Sequence, residues 1–290
     1  MNLKFLGTGA AEAVPAVFCE CDYCQYAREH KGKDIRTRSS FRINDRVQID
    51  ISPDIFMQMV NQNLSMNAVR HLLITHSHSD HLDVNELLQL ENVFHSIEPI
   101  HLYMNQRAIS WFKELQHHYI KHESKEKLER ILEHYIIHPL EYYESYTLDE
   151  MEIIPIPSTH FGFNKAEEEL CLNYLITLQD KRKLLYAVDT GYYTEEAFHF
   201  LQDHKLDLLV LECTFGGRKD RGEYVKGHLD IKNFLLFLDQ LKNQGTIDSS
   251  TKVFATHINH KHSSHHELLQ QEFNASDYNV TVAYDGLSIL

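Results

Sequence analysis

The run His76-Ser77-His78-Ser79-Asp80-His81 packs three imidazoles and one carboxylate into six consecutive positions. Neutral imidazole nitrogens and carboxylate oxygens are ligands that suit zinc, manganese or iron. Two histidines separated by one residue can share one ion, while Asp80 and His81 reach a second. A pair of ions lowers the pKa of water between them to about 7 and offsets charge in a hydrolytic transition state. The chemistry expected of this motif is therefore metal-dependent hydrolysis, with a hydroxide bridging the two ions.

Such ligands must be aimed by rigid elements. The apolar run Leu72-Leu73-Ile74 reads as a buried strand that feeds directly into His76. Three further ligand types follow similar runs. His160 comes after Ile153–Pro157, Asp189 after Leu184–Val188, and His257 after Val253–Thr256. Leu208–Leu211 forms another such run, while Leu3–Phe5 and Val47–Ile51 alternate as half-buried strands do. Val280–Ala283 and Leu287–Leu290 suggest a closing hairpin around Asp285-Gly286. Helical spacing appears over Val84–Phe94, and after Asp230, which is placed to cap a helix carrying Ile231, Phe234, Leu235, Leu238 and Leu241. From about 105 to 145 the chain is rich in charge and His, with Leu128, Ile131, Leu132 and Tyr135 in a helical stripe. This segment is expected to be a mostly helical insertion, either leaning over the site or packed on the surface. The fold class is α/β, a sheet sandwich flanked by helices, with residues 1–290 forming one domain.

The formal net charge of −14 over 290 residues argues against broad nucleic-acid binding, which leaves a basic patch or stripe. It does not exclude a small phosphorylated substrate, because metal ions supply positive charge locally. No segment is long and apolar enough to span a bilayer. Gly7, Gly9, Glu12 and Pro15 interrupt the N-terminal apolar stretch, so it is expected to be folded structure and the protein cytoplasmic. Of the five cysteines, Cys19, Cys21 and Cys24 cluster within six residues. Disulfide closure at that spacing is strained, and a metal is the better reading, with free thiols the competing one. Structural zinc wants a fourth ligand, which spacing alone leaves open. Cys171 and Cys213 fall in apolar runs and are expected to be buried and inert.

The ordered set His76, His78, Asp80, His81, His160, Asp189 and His257 resembles that of the metallo-β-lactamase-fold superfamily, over nearly the whole chain. The resemblance implies an αββα sandwich. It assigns His76, His78 and His160 to one ion and Asp80, His81 and His257 to the other, with Asp189 bridging. The segment Thr256-His257-Ile258-Asn259-His260 is similar to that of PhnP-type cyclic phosphodiesterases, which implies that His260 completes a structural zinc with Cys19, Cys21 and Cys24. Gly7-Thr8-Gly9, Arg38-Ser39-Ser40, Asp50–Asp54 and Tyr284-Asp285-Gly286 fit the same branch by position. The resemblance also places His228, within Lys226–Asp230, near a substrate phosphate as a candidate general acid, against the alternative of a surface or helix-start residue. Arg218, Lys219 and Arg221 form a short basic loop that could meet an anion.

The leading expectation is hydrolysis of a small or cyclic phosphodiester. Two catalytic divalent ions (zinc or manganese, or iron) and one structural zinc would serve it, in a chain that could be a homodimer. Asp189 would orient the attacking hydroxide and His228 protonate the leaving oxygen. The competing functions are a PqqB-like cofactor-maturation enzyme, a tRNA 3′-end endonuclease, and a metal-binding protein without catalysis.

Overall fold

A computed structural model describes residues 2–94, 96–120, 125–162 and 169–289. The strands are β1 (Leu3–Gly7), β2 (Ser40–Arg42), β3 (Val47–Ile49), β4 (His71–Leu73), β5 (Ile100–Met104), β6 (Tyr135–Pro139), β7 (Tyr146–Leu148), β8 (Met151–Phe161), β9 (Leu170–Thr177), β10 (Lys183–Ala187), β11 (Leu208–Glu212), β12 (Lys252–Thr256), β13 (Val280–Val282) and β14 (Ser288–Ile289). The α-helices are α1 (Asp22–His30), α2 (Ile55–Gln62), α3 (Val84–Leu88), α4 (Gln106–Ile120), α5 (Lys125–Leu132), α6 (Glu195–Leu201), α7 (Ile231–Asn243) and α8 (His266–Asn274).

The strands form two seven-stranded sheets, ordered β14-β1-β2-β3-β4-β5-β6 and β13-β12-β11-β10-β9-β8-β7. Alternation along each strand explains why its apolar run is unbroken, since both faces of the sheet are covered. In β4, Leu73 joins Phe5, Phe41, Tyr174 and Tyr186 between the sheets, while Leu72 joins Leu102, Ala108 and Phe112 under the outer helices. In β10, Leu184 faces inward and Leu185 packs outward against α6 and α7 through Phe198 and Phe237. The result is the expected αββα sandwich. No helix among the described residues is long and apolar enough to cross a membrane.

Three local expectations change. Tyr135 begins β6, so the stripe expected to run through it ends at α5; the side chains of Leu128 and Ile131 lie outside the described residues. Helix α4, in the same segment, packs Ala108, Ile109 and Phe112 into the outer core of the first sheet, as in the surface-packed alternative. The C-terminal segments do not form a hairpin, because β13 pairs with β12 in one sheet and β14 with β1 in the other. The Asp285-Gly286 turn carries the chain from one sheet to the other, and a two-residue turn signal is silent about which strands lie on either side. The stretch expected to be helical over Val84–Phe94 is shorter, with α3 followed by a 3₁₀ turn over Gln89–Asn92 and Phe94 fully exposed.

A candidate dinuclear metal centre

Strands β4, β8, β10, β11 and β12 deliver side chains to one end of the sandwich. His76 follows β4 after Ile74 and Thr75, Asp189 follows β10, and His257 follows β12. His160 differs slightly from expectation: it lies within β8, beyond a register shift between Pro157 and Phe161 that re-aims the end of the strand. Asp189 and His257 adopt left-handed backbone, at φ 55° and 59°. Non-glycine residues hold that conformation at a cost that recurs at functional sites.

His76, His78 and His160 turn ring nitrogens toward one another. His76 Nε2 lies 2.8 Å and His160 Nε2 3.4 Å from His78 Nδ1. Asp80, His81, Asp189 and His257 form a second group, with one ligand atom from each within 4.8 Å of the others. Asp189 stands between the groups. Its Oδ2 is 2.5 Å from His81 Nε2 and 3.7 Å from His76 Nε2, and its Oδ1 is 3.4 Å from His257 Nε2. These short approaches are not hydrogen bonds: His81 Nε2, His257 Nε2 and Asp189 Oδ2 are buried with no hydrogen-bond partner among the described residues. Buried ring nitrogens and a carboxylate oxygen that converge without hydrogen-bond geometry fit a bound cation, and the donor set of imidazole and carboxylate fits zinc, manganese or iron.

The electrostatics agree. Burial holds His76 well below the ordinary imidazole pKa, lowers His78, and pushes His160 down to about 4, so all three are neutral ligands. Burial would also lower His81, but the carboxylates of Asp80, Asp189 and Asp50 outweigh it and hold it well above. Concentrated negative charge at this spot calls for a cation.

Two buried carboxylates fix the imidazoles from behind. His81 donates from Nδ1 to Asp50 Oδ2 at 2.6 Å, which leaves Nε2 as the bare nitrogen facing the centre. Thr75 ties the same carboxylate to the motif, donating from its N–H at 2.8 Å and its hydroxyl at 3.0 Å. On the other side Glu212 accepts from Thr190 N at 2.7 Å and from the Thr214 hydroxyl, which in turn accepts from His257 Nδ1 at 2.8 Å. Glu212 also accepts from His228 Nδ1 at 2.8 Å. Burial opposes the imidazolium, yet Glu212 outweighs it and lifts the His228 pKa to about 9. His228 therefore sits with the ligands, its ring 4.4 Å from that of His160. Neither Asp50 nor Glu212 was expected to hold a ligand. Glu212 ends an apolar run at the same sheet edge as Asp189, which is the signal that could have found it.

A cleft of about 290 Å³ opens over this centre, lined by Glu12, Phe215, His228, Asn259, Lys261 and His262 among others. That is the size of a small-molecule site. The basic loop is divided in its roles. Arg221 donates to the His228 carbonyl at 2.6 Å and lies 4.3 Å over Phe215, Arg218 pairs with Asp220 at 2.6 Å, and Lys219 is exposed.

The second cluster lies beside the first. His260 Nδ1 is 3.4 Å from Cys19 Sγ and 3.5 Å from Cys21 Sγ, and Cys24 completes a group within 4.8 Å. Tetrahedral zinc, with Zn–S near 2.3 Å and Zn–N near 2.0 Å, requires a sulfur–nitrogen separation of about 3.5 Å. Cys19, Cys21 and His260 fit zinc on that measure, with Cys24 near enough to be the fourth ligand. Backbone pairing brings them together, because Ala10 N donates to Ile258 O at 3.1 Å and Ile258 N to Thr8 O at 2.9 Å. Cys171 and Cys213 are buried as expected, although Cys171 Sγ lies within 4.8 Å of ligand nitrogens of His76 and His160.

Residues 45–262 match the model of the beta-lactamase superfamily domain. No curated protein matches the sequence. Among solved structures, a diphosphatase from the PhnP family is similar at a TM-score of 0.73 and 21% identity, over 99% of this chain and 96% of that one. Zinc-bound PqqB from Methylobacterium extorquens is similar at 0.72 and 17%, over 100% of both chains. The short form of human tRNase Z is similar at 0.67 and 16%, over 100% of this chain and 99% of that one.

Proposed function

The chain belongs to the beta-lactamase superfamily, and from that premise we propose that it is a dinuclear metal-dependent hydrolase acting on a small phosphodiester. The observation that carries the proposal is Asp189, whose two oxygens face ligand nitrogens of both groups beneath a cleft that also holds His228. In this reading His76, His78 and His160 would hold one ion, Asp80, His81 and His257 the other, and Asp189 would serve both. Two divalent ions there would acidify water and offset charge on phosphoryl oxygens. The chain's own groups do the rest. Asp50, and Glu212 through Thr214, keep His81 and His257 in the tautomer whose Nε2 lone pair faces inward. Glu212 accepts the His228 Nδ1 proton, leaving Nε2 as the position from which a proton passes to the leaving oxygen. The cleft admits a small ester and, with a net charge of −14, the surface favours no polyanion. The Cys19, Cys21, Cys24 and His260 cluster, which the chemistry does not need, supports the phosphodiesterase branch.

The test is turnover by metal-loaded protein across bis-p-nitrophenyl phosphate, cyclic nucleotides and cyclic ribose phosphates. Activity on one or more supports the proposal, and inertness toward all of them refutes it. A proton donor has a further signature. His228→Gln is expected to lower kcat about 10²–10³-fold for esters with alkoxide leaving groups, with KM little changed. The loss shrinks severalfold for p-nitrophenolate, which needs little protonation, and a plot of log kcat against leaving-group pKa reads the difference.

A further inference from the structure

A third buried carboxylate, Glu169, is not a ligand in the proposed centre. It is 2% exposed and sits at the start of β9, across the hairpin from the end of β8 that carries His160. Both its oxygens bond one residue of the metal motif, with the Asn105 side chain as a further partner. Oε1 accepts the Ser77 N–H at 2.9 Å and Oε2 accepts the Ser77 hydroxyl at 2.5 Å. Ser77 is the residue between His76 and His78. The Glu169 carbonyl accepts from Gly162 N at 2.9 Å, two residues past His160. A Cβ at position 162 would press on the Glu169 carboxylate and force it to shift. One side chain thus joins the loop bearing His76 and His78 to the hairpin bearing His160.

We propose that Glu169 is a positioning residue that sets the geometry of the three-histidine group alone, and through it the affinity and choice of metal there. The inference rests on the dinuclear reading of the centre. Asp50 and Glu212 hold His81 and His257 by direct or hydroxyl-relayed hydrogen bonds. Glu169 does the corresponding work for the other group by a different route. It grips the backbone and side chain between two ligands, not an imidazole. A bidentate carboxylate fixes both the peptide plane at Ser77 and the rotamer of its hydroxyl, which restricts how far His76 and His78 can separate. Losing such outer support typically costs 10–100-fold in metal affinity. Burial raises the Glu169 pKa, as expected of an acid whose charge is repaid only by neutral donors, chiefly Ser77.

The experiment is competitive titration of the metal-free full-length protein with zinc against a chromophoric chelator. It is combined with anomalous-scattering occupancies of the two catalytic positions at a fixed free-zinc level. Wild type is expected to show two catalytic binding steps; if it does not, the dinuclear reading has failed and not this inference. Glu169→Ala is expected to weaken only the step assigned to His76, His78 and His160, by about 10–100-fold, with the other step within twofold. Ser77→Ala, which keeps the N–H bond, is expected to weaken the same step severalfold, and the double variant to be no worse than Glu169→Ala. If Glu169→Ala does not fold, Glu169→Gln decides: it keeps one acceptor for Ser77 and weakens the same step by less. Equal weakening of both steps, or no change in either step in the variant that folds, overturns the proposal.

Discussion

Asp189→Ala is expected to lower turnover of every substrate by about 10³–10⁴-fold, the several kcal/mol that a metal pair would contribute at 1.36 kcal/mol per factor of ten. The reason is positional. Asp189 is 2% exposed and faces ligand nitrogens from both groups, at 3.7 Å from His76 in one and at 2.5 Å from His81 and 3.4 Å from His257 in the other. Burial would raise its pKa, but the neighbouring His257 and His81 imidazoles hold the carboxyl well below the ordinary range. It is therefore a fixed negative charge. Without it the two groups are no longer linked, and the bound catalytic metal falls from two ions per chain toward one. Asp189→Asn keeps the shape while removing the charge, and is expected to lose nearly as much activity. Metal analysis of the dialysed variants, alongside kcat/KM, checks this. An Asp189→Ala protein that retained both ions and a tenth of the activity would contradict the bridging role.

The second large effect is on stability. Cys24→Ala is expected to lower Tm by roughly 10 °C, corresponding to about 3–5 kcal/mol for a metal-linked loss in a chain of this size. Cys24 is fully buried at the start of α1, and its sulfur accepts from Ala16 N at 3.4 Å. Burial raises its thiol pKa to about 12, so zinc bound there would have to displace a firmly held proton. The four-residue cluster anchors the loop containing Ala10 and Glu12 to the segment that carries His257, His260 and Lys261. Releasing it frees one wall of the cleft and exposes the loop to proteases. A strong chelator would strip the catalytic ions as well and should lower both proteins, but wild type by more, so that the two Tm values converge. Cys213→Ala is the control, since Cys213 is equally buried but belongs to the helix-side core. Its cost, about 1 kcal/mol for a small cavity, should be the same with and without chelator.

These two experiments concern residues that local sequence made visible. A strand of unbroken apolar residues announces its end by the polar residues that follow, and His76, Asp189 and His257 each stand within two positions of such an end. The supporting carboxylates were hidden because their meaning depends on who faces them. Asp50 meets His81 across 31 positions and Glu169 meets Ser77 across 92. Neither pairing leaves a periodic trace. Glu212 is the intermediate case: it closes the run Leu208–Leu211 as Asp189 closes its own, but only the parallel pairing of β10 with β11 shows that the two ends coincide. The misreadings have similar causes. Tyr135 satisfied a helical spacing by chance while belonging to an edge strand beside β5. Asp285-Gly286 gave a turn signal that is the same whether the chain returns to its own sheet or passes to the other.

The basic loop shows what burial adds to a charge count. From spacing alone Arg218, Lys219 and Arg221 were equivalent. In the fold Arg221 supports His228 by its carbonyl and Arg218 is paired with Asp220. The positive groups lining the cleft are then His228 and Lys261, and any larger charge would come from bound ions. The low cost of bringing an anionic ester into an acidic protein would depend on them.

The most direct test of the centre is anomalous diffraction from crystals of the zinc- or manganese-loaded protein. Two peaks about 3.5–4 Å apart are expected on either side of Asp189, one among His76, His78 and His160 and the other among Asp80, His81 and His257. A single peak, or none with His81 in direct contact with Asp189, would contradict the account.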